Sequence, residues 1–298
     1  MLNYAVPPPS LATRLALVFL VAVLTLVGCS TVTLAYNRAD FLVKAYAKDY
    51  LDLEPGQVAG WEPLLTRELA RHRAEELPHL AAYVDQALRA SRLGLDEGSM
   101  TCLLASSRDL YQRQARYAVT LVTPLLAGLS PAQVKRLDQR FQEEAEEDLA
   151  ELAEGGGTAE RQRRTRRLVD TIEDWTGHLA SGQEALVAEA MARMPETRRL
   201  YLDYRGQQRG NLIALLEAKA GEARISAFLT DWLVDWRGMP PALEQARGAM
   251  DLAITALFIR LVASLDQTQR DRLDKRLRDL RDDLMELQRQ PRMATLAC

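Results

Sequence analysis

Three histidines, three cysteines and four tryptophans are the side chains of this 298-residue chain best suited to chemistry. His72 and His79 stand seven residues apart with Glu75 and Glu76 between them, a spacing that would gather imidazoles and a carboxylate on one helical face. A metal site needs three or four converging ligands, however, and Pro78 interrupts the helix between the two histidines. No metal is expected. His178 is alone at a helix end, where a cation suits the dipole. Carboxylates are abundant, but all read as solvated positions on helices, and no acid–base pair stands out. There is no G-x-S-x-G, H-E-x-x-H, P-loop or C-x-x-C. The residues therefore predict neither an enzyme nor a bound cofactor. Asp231-Trp232 and Asp235-Trp236 repeat at i, i+4, which would put two indoles on one face. That pattern suits a core or an interface; a glycan-binding or hydrolytic domain using Trp232 and Trp236 is the weaker alternative.

The cysteines carry more information. Leu26-Val27-Gly28-Cys29 ends an apolar run, Leu15 to Val27, of 13 residues that follows Arg14. As a helix this run spans about 20 Å, short of the roughly 30 Å hydrocarbon core of a bilayer. The segment resembles the lipobox of bacterial lipoproteins. That resemblance implies a signal peptide over 1–28, a diacylglyceryl thioether (palmitate-type acylation) on Cys29 and a lipidated tether over 29–36. Ser30, where inner-membrane retention uses aspartate, resembles outer-membrane sorting. Arg14 is the only charged side chain in 1–28, so its removal takes the formal net charge from −3 to −4. So mild a charge, with signs interleaved, argues against nucleic acid as a partner. Cys102 and Cys298 could pair in an oxidising compartment. Two free thiols are the simpler expectation.

The elements that must position these residues are all helical. Period-3.6 patterning predicts helices over Tyr36–Leu51, Pro55–Leu77, His79–Leu93, Asp96–Ala127 (with Pro124 kinking its last turn), 131–153, 159–177, 182–219, 222–236, 241–263 and 266–289. This is an all-α chain, an irregular bundle of about ten helices. A periplasm-facing domain over 37–290 is expected, with a subdivision near 155–157 left open and a disordered tail over 291–298. In the last helix Leu273, Leu277, Leu280, Leu284 and Leu287 step by four and three, an a/d seam that predicts an intramolecular helix partner. Ala249–Leu265, interrupted by Asp251 and Arg260, reads as a buried core helix.

Around Gly155-Gly156-Gly157 an acidic run (Glu143, Glu144, Glu146, Glu147, Asp148, Glu151, Glu154) is followed by a basic one (Arg161, Arg163, Arg164, Arg166, Arg167). The two runs are expected to face each other in a helical hairpin. Alternatively Arg161, Arg163 and Arg164 stay free, as a partner-binding surface together with Trp232 and Trp236, or contact anionic lipid.

Four segments repeat a leucine followed four residues later by glutamine: Leu53–Gln57, Leu129–Gln133, Leu179–Gln183 and Leu265–Gln269. Each opens an expected helix. Ser130, Pro131 and Gln133 make a complete helix start, with N-cap, N1 proline and capping box, and Leu129 with Val134 as its staple. Helix capping explains the pattern. The segments are also similar to the L-T-x-x-Q motif of Spy-type periplasmic chaperones. Taken whole, with Leu26–Ser30, Tyr36-Asn37-Arg38-Ala39-Asp40, His72-Arg73…Glu76-Leu77-Pro78 and Trp175-Thr176-Gly177, the chain resembles an uncharacterised family of proteobacterial all-helical lipoproteins. The resemblance implies an outer-membrane, lipid-anchored protein that binds an envelope protein partner in a chaperone-like manner or serves as a structural scaffold.

Overall fold

The computed structural model describes residues 29–154 and 156–296; side chains of 29–31 and residue 156 are outside the description, as are the leader expected over 1–28 and Cys298. The helices are α1 (Cys29–Asn37), α2 (Ala39–Leu51), α3 (Pro55–Glu75), α4 (Leu77–Leu93), α5 (Glu97–Ala127), α6 (Pro131–Ala153) and α7 (Gly156–Thr176). After these come α8 (Ser181–Arg193), α9 (Arg198–Glu217), α10 (Glu222–Leu229), a π turn (Thr230–Val234), α11 (Pro241–Ser264) and α12 (Gln267–Glu286). No strand occurs among the described residues.

The architecture is the expected all-α bundle, and its boundaries follow local chemistry. Prolines open α3, α6 and α11, where the missing N–H costs nothing. Asp96, Ser130 and Asp266 accept from the backbone N–H three residues on. Pro124 stays within α5, which runs on to Ala127.

Several boundaries differ from expectation. The segment expected as a tether is helical, because Val32 and Tyr36, four apart, bury one face of α1 against α4 and α12. α1 and α2 then break at Arg38 instead of forming one helix from Tyr36. The helix expected over 182–219 is split at 194–197, where Pro195 removes an N–H and crowds the preceding turn. The helix expected over 222–236 ends in the π turn. The tail expected to be disordered is tied down as far as it is described: Arg292 N–H donates to the Gln288 Oε1 and Ala294 N–H to the Pro78 carbonyl. Cys102 is disulfide-bonded, which corrects the expectation of two free thiols.

The core is three apolar clusters threaded by α5. Met100 joins α7, α8 and α11; Leu110 joins α1, α4 and α12; Ala115 to Leu126 join α2, α3, α6, α9, α10 and the π turn. The leucine seam of α12 is internal as expected. Leu277, Leu280, Leu284 and Leu287 meet Leu77, Leu80, Val84 and Leu88 of α4, and Arg281–Asp85 and Arg92–Asp274 ion pairs flank the seam. α11 buries Ile254, Leu257 and Leu261. Among the described residues no single helix is long and apolar enough to cross a membrane.

Candidate functional site

The four Leu-x-x-x-Gln segments come together in two pairs. Gln57, opening α3, and Gln133, opening α6, form a cyclic amide pair. Gln57 donates Nε2–H to Gln133 Oε1 (3.2 Å) and to the Gly128 carbonyl (2.9 Å). Gln133 donates to Gln57 Oε1 (2.7 Å) and to the Asp52 carbonyl (2.7 Å). Each Oε1 also accepts from its own cap residue, Glu54 N–H at 2.8 Å and Ser130 N–H at 2.9 Å. The arrangement recurs at the starts of α8 and α12. Gln183 donates to Gln269 Oε1 (2.8 Å) and the Ser264 carbonyl (3.0 Å), and Gln269 to Gln183 Oε1 (2.9 Å) and the His178 carbonyl (2.8 Å). Ala180 and Asp266 N–H groups complete the second set.

In every copy the outside acceptor is the carbonyl just before the partner's leucine. Both amide hydrogens and the amide oxygen of each glutamine are thus committed. The capping device expected at Ser130–Gln133 is present, but it is half of a tertiary clamp. Sequence spacing gave no sign of which segments would pair.

A second polar group lies under α1. Tyr36 Oη is 2.9 Å from His72 Nδ1, and His72 Nε2 is 2.6 Å from Gln114 Oε1. Arg73 donates to Asn37 Oδ1 (3.0 Å) and its guanidinium lies over the Tyr36 ring. Arg113 holds buried Glu76 with two hydrogen bonds, 2.7 and 2.8 Å. Burial pushes the His72 pKa down to about 4, so its imidazole is neutral. Beside this group is a cavity of about 50 Å³, walled mainly by Val43, Trp61, Leu121, Val122 and Leu125, with Glu68, His72 and Gln114 at its polar end. Glu68 is buried and ion-paired to Arg67 and Arg71. His79 lies at the edge of the group, where burial and the Arg113 charge lower its pKa and Glu76 opposes them, and among the described residues no cluster of histidine, cysteine and carboxylate could hold a metal. His178 is exposed and bonded to Glu173 (2.8 Å), so it is not alone.

The acidic run is also organised, though not by the basic run expected to meet it. Glu144, Asp148 and Glu151 share one face of α6 and pair with Arg209, Arg205 and Arg198 of α9. Glu160 of α7 joins through Arg198 (3.0 Å) and Arg163 (2.9 Å). The chain does reverse after α6: Arg163 donates to the Glu151 and Glu154 carbonyls at 3.0 and 3.2 Å. Arg161 pairs with Glu196 (2.5 Å), while Arg164 is buried and desolvation lowers its pKa. Arg163 and Arg164 are thus engaged within the fold, while Arg161 is paired with Glu196 at its surface. Several carboxylates read as solvated, Glu68, Glu76, Asp148, Glu160 and Asp283, are in fact buried. For the first four, arginines supply the compensation that burial demands, from the same helix for Glu68 and from neighbouring helices for Glu76, Asp148 and Glu160.

The two tryptophans do not share a face. The π turn changes the angular step between them, and Trp236 adopts a left-handed φ of +54°. Trp232 is buried beside Phe228, whereas Trp236 stacks on Tyr111 and has the Arg247 guanidinium over its ring. The paired aromatic platform does not form.

No curated protein and no solved structure matches this chain. A family model does, over residues 49–237, from the end of α2 through the π turn; it contains the Gln57–Gln133 clamp and the α6–α9 ion network and stops before Gln269. Because that match covers more than half of the chain, the protein belongs to DUF6279, a family of unknown function.

Proposed function

We propose that this protein is a bacterial envelope lipoprotein, anchored through acylated Cys29 and sorted to the outer membrane, whose helical body faces the periplasm as a rigid, non-enzymatic adaptor for a protein partner. The observation that carries the anchor is the lipobox-like Leu26-Val27-Gly28-Cys29, whose cysteine is the first residue of α1, a helix that Tyr36–His72 and Asn37–Arg73 pin to the body. The disulfide at Cys102 suits an oxidising compartment.

A rigid adaptor is favoured over a chaperone cradle of the Spy type by the state of the glutamines. Their amides are consumed in pairing with one another, so the Leu-x-x-x-Gln segments serve as clamps and offer no free hydrogen bonds to a client. The cavity supports an enzyme poorly, since its one carboxylate is held by arginines. Labelled palmitate fed to cells should enter the wild-type chain and be absent from Cys29→Ala. In-cell crosslinking should then recover one stoichiometric envelope partner. Suppression of aggregation of unrelated unfolded proteins by the purified body would overturn the adaptor reading in favour of the chaperone.

A further inference from the structure

We propose that the α1–α2 elbow is a lipid-contacting face that seats the body on the bilayer holding the Cys29 anchor, with Leu34, Phe41 and Leu42 entering the headgroup–acyl boundary. This rests on the reading of Cys29 as acylated.

Leu34 and Phe41 are each 61% exposed and Leu42 is 46% exposed. Other strongly exposed large apolar side chains, such as Leu93, Leu252 and Met293, stand singly on separate elements, as is normal for a protein surface. These three fall within nine residues of the chain, on either side of the α1–α2 break, and such a concentration of exposed apolar side chains signals a partner. Packing aims it outward. α1 buries Val32 and Tyr36, leaving Leu34 opposite; α2 buries Ala39, Ala47, Tyr50 and Leu51, leaving Phe41, Leu42 and Ala45 on the far side. The Tyr36–His72 hydrogen bond and the Lys44–Glu62 ion pair hold both helices in that orientation.

The occupant follows from position. At 1.5 Å per residue Leu34 lies within about 8 Å of Cys29, and Phe41 within about 18 Å. Acyl chains leaving Cys29 bring the bilayer surface to the start of α1, and an interfacial helix sinks only about 5–10 Å. Exposed Arg38 and Lys48 flank the apolar side chains and suit anionic headgroups, while the exposed carboxylates Asp40 and Asp49 in the same stretch offset them and leave the contact mainly apolar.

The test uses the full-length chain in its own membranes, with p-benzoylphenylalanine installed in turn at positions 34, 41 and 252. Irradiation should give phospholipid adducts, seen as a mass shift, at 34 and 41 and several-fold fewer at 252. In sealed vesicles presenting the body outward, trypsin should cut after Arg38 and Lys48 several-fold faster in Phe41→Ser/Leu42→Ser than in wild type. These substitutions replace exposed side chains, so folding is unaffected. Protein adducts in place of lipid at 41 would overturn the proposal and mark a protein-docking face. Equal lipid adducts at 41 and 252 in palmitate-labelled protein would also overturn it while leaving the anchor intact. Lipid adducts confined to 34 and 41 in unlabelled protein would uphold the face and refute the anchor; loss of both would refute both.

Discussion

Gln57 and Gln133, 76 residues apart in sequence, exchange side-chain amide hydrogen bonds and each caps the helix it begins. Removing one strands the other's amide together with a cap N–H and a loop carbonyl. Gln133→Ala should therefore cost about 2–3 kcal/mol, more than the 0.5–2 kcal/mol expected for Ser130→Ala. In urea titrations a Gln57/Gln133 double-mutant cycle should show coupling of about 1 kcal/mol, whereas Gln133 with Gln269, from separate clamps, should be additive. Equal losses for Gln133→Ala and Ser130→Ala, with no coupling, would reduce the clamp to ordinary capping.

His72 and Asp283 should give opposite pH slopes. Burial lowers the His72 pKa from 6.5 to about 4, so the unfolded chain protonates first as pH falls. The stability tied to neutral His72 is whole above pH 6.5 and is lost toward pH 4, by about 3 kcal/mol. His72→Gln should flatten that decline.

Asp283 is buried, Oδ2 lacks a hydrogen bond, and desolvation, followed by repulsion from Glu286, Asp279 and Asp282, raises its pKa to about 6. Its native carboxyl holds a proton that the unfolded one has lost, so this contribution is whole below pH 4 and disappears as pH rises through 6. Asp283→Asn should stabilise the protein by about 2 kcal/mol at pH 7.5 and change little at pH 4. A gain of the same size at both pH values would contradict the assignment.

The Arg205–Asp148 pair is buried on both sides, whereas Arg199–Asp203 is an exposed i, i+4 pair. Breaking the buried pair leaves an uncompensated charge. Arg205→Ala should cost about 3–5 kcal/mol and Arg199→Ala no more than about 0.5 kcal/mol. Thermal melts of the two variants distinguish these outcomes.

Cys102 is disulfide-bonded and should resist maleimide until the protein is reduced. Dithiothreitol should destabilise the wild type by about 2–4 kcal/mol and leave Cys102→Ser unmoved. A free, reactive Cys102 in protein purified without reductant would refute the bond.

Amino-acid order by itself determined what depends on near neighbours. The Ser130–Pro131–Gln133 start, the prolines opening helices and the a/d leucines of α12 are local signals, and each performs as its spacing requires. Pairing was decided elsewhere. Nothing local links Gln57 to Gln133 rather than to Gln183, because the choice depends on which loops the packed helices bring within 3 Å. Tyr36 and His72 belong to two segments that carry the family resemblance, yet only folding joins them through a hydrogen bond. The acidic face of α6 found its arginines on α9, past a proline break hidden inside one apparently continuous helix. A single π turn separated Trp232 from Trp236, since face assignments survive only while the helical period does. Charge and hydrogen-bond partners are long-range choices, made by burial once the apolar faces have closed.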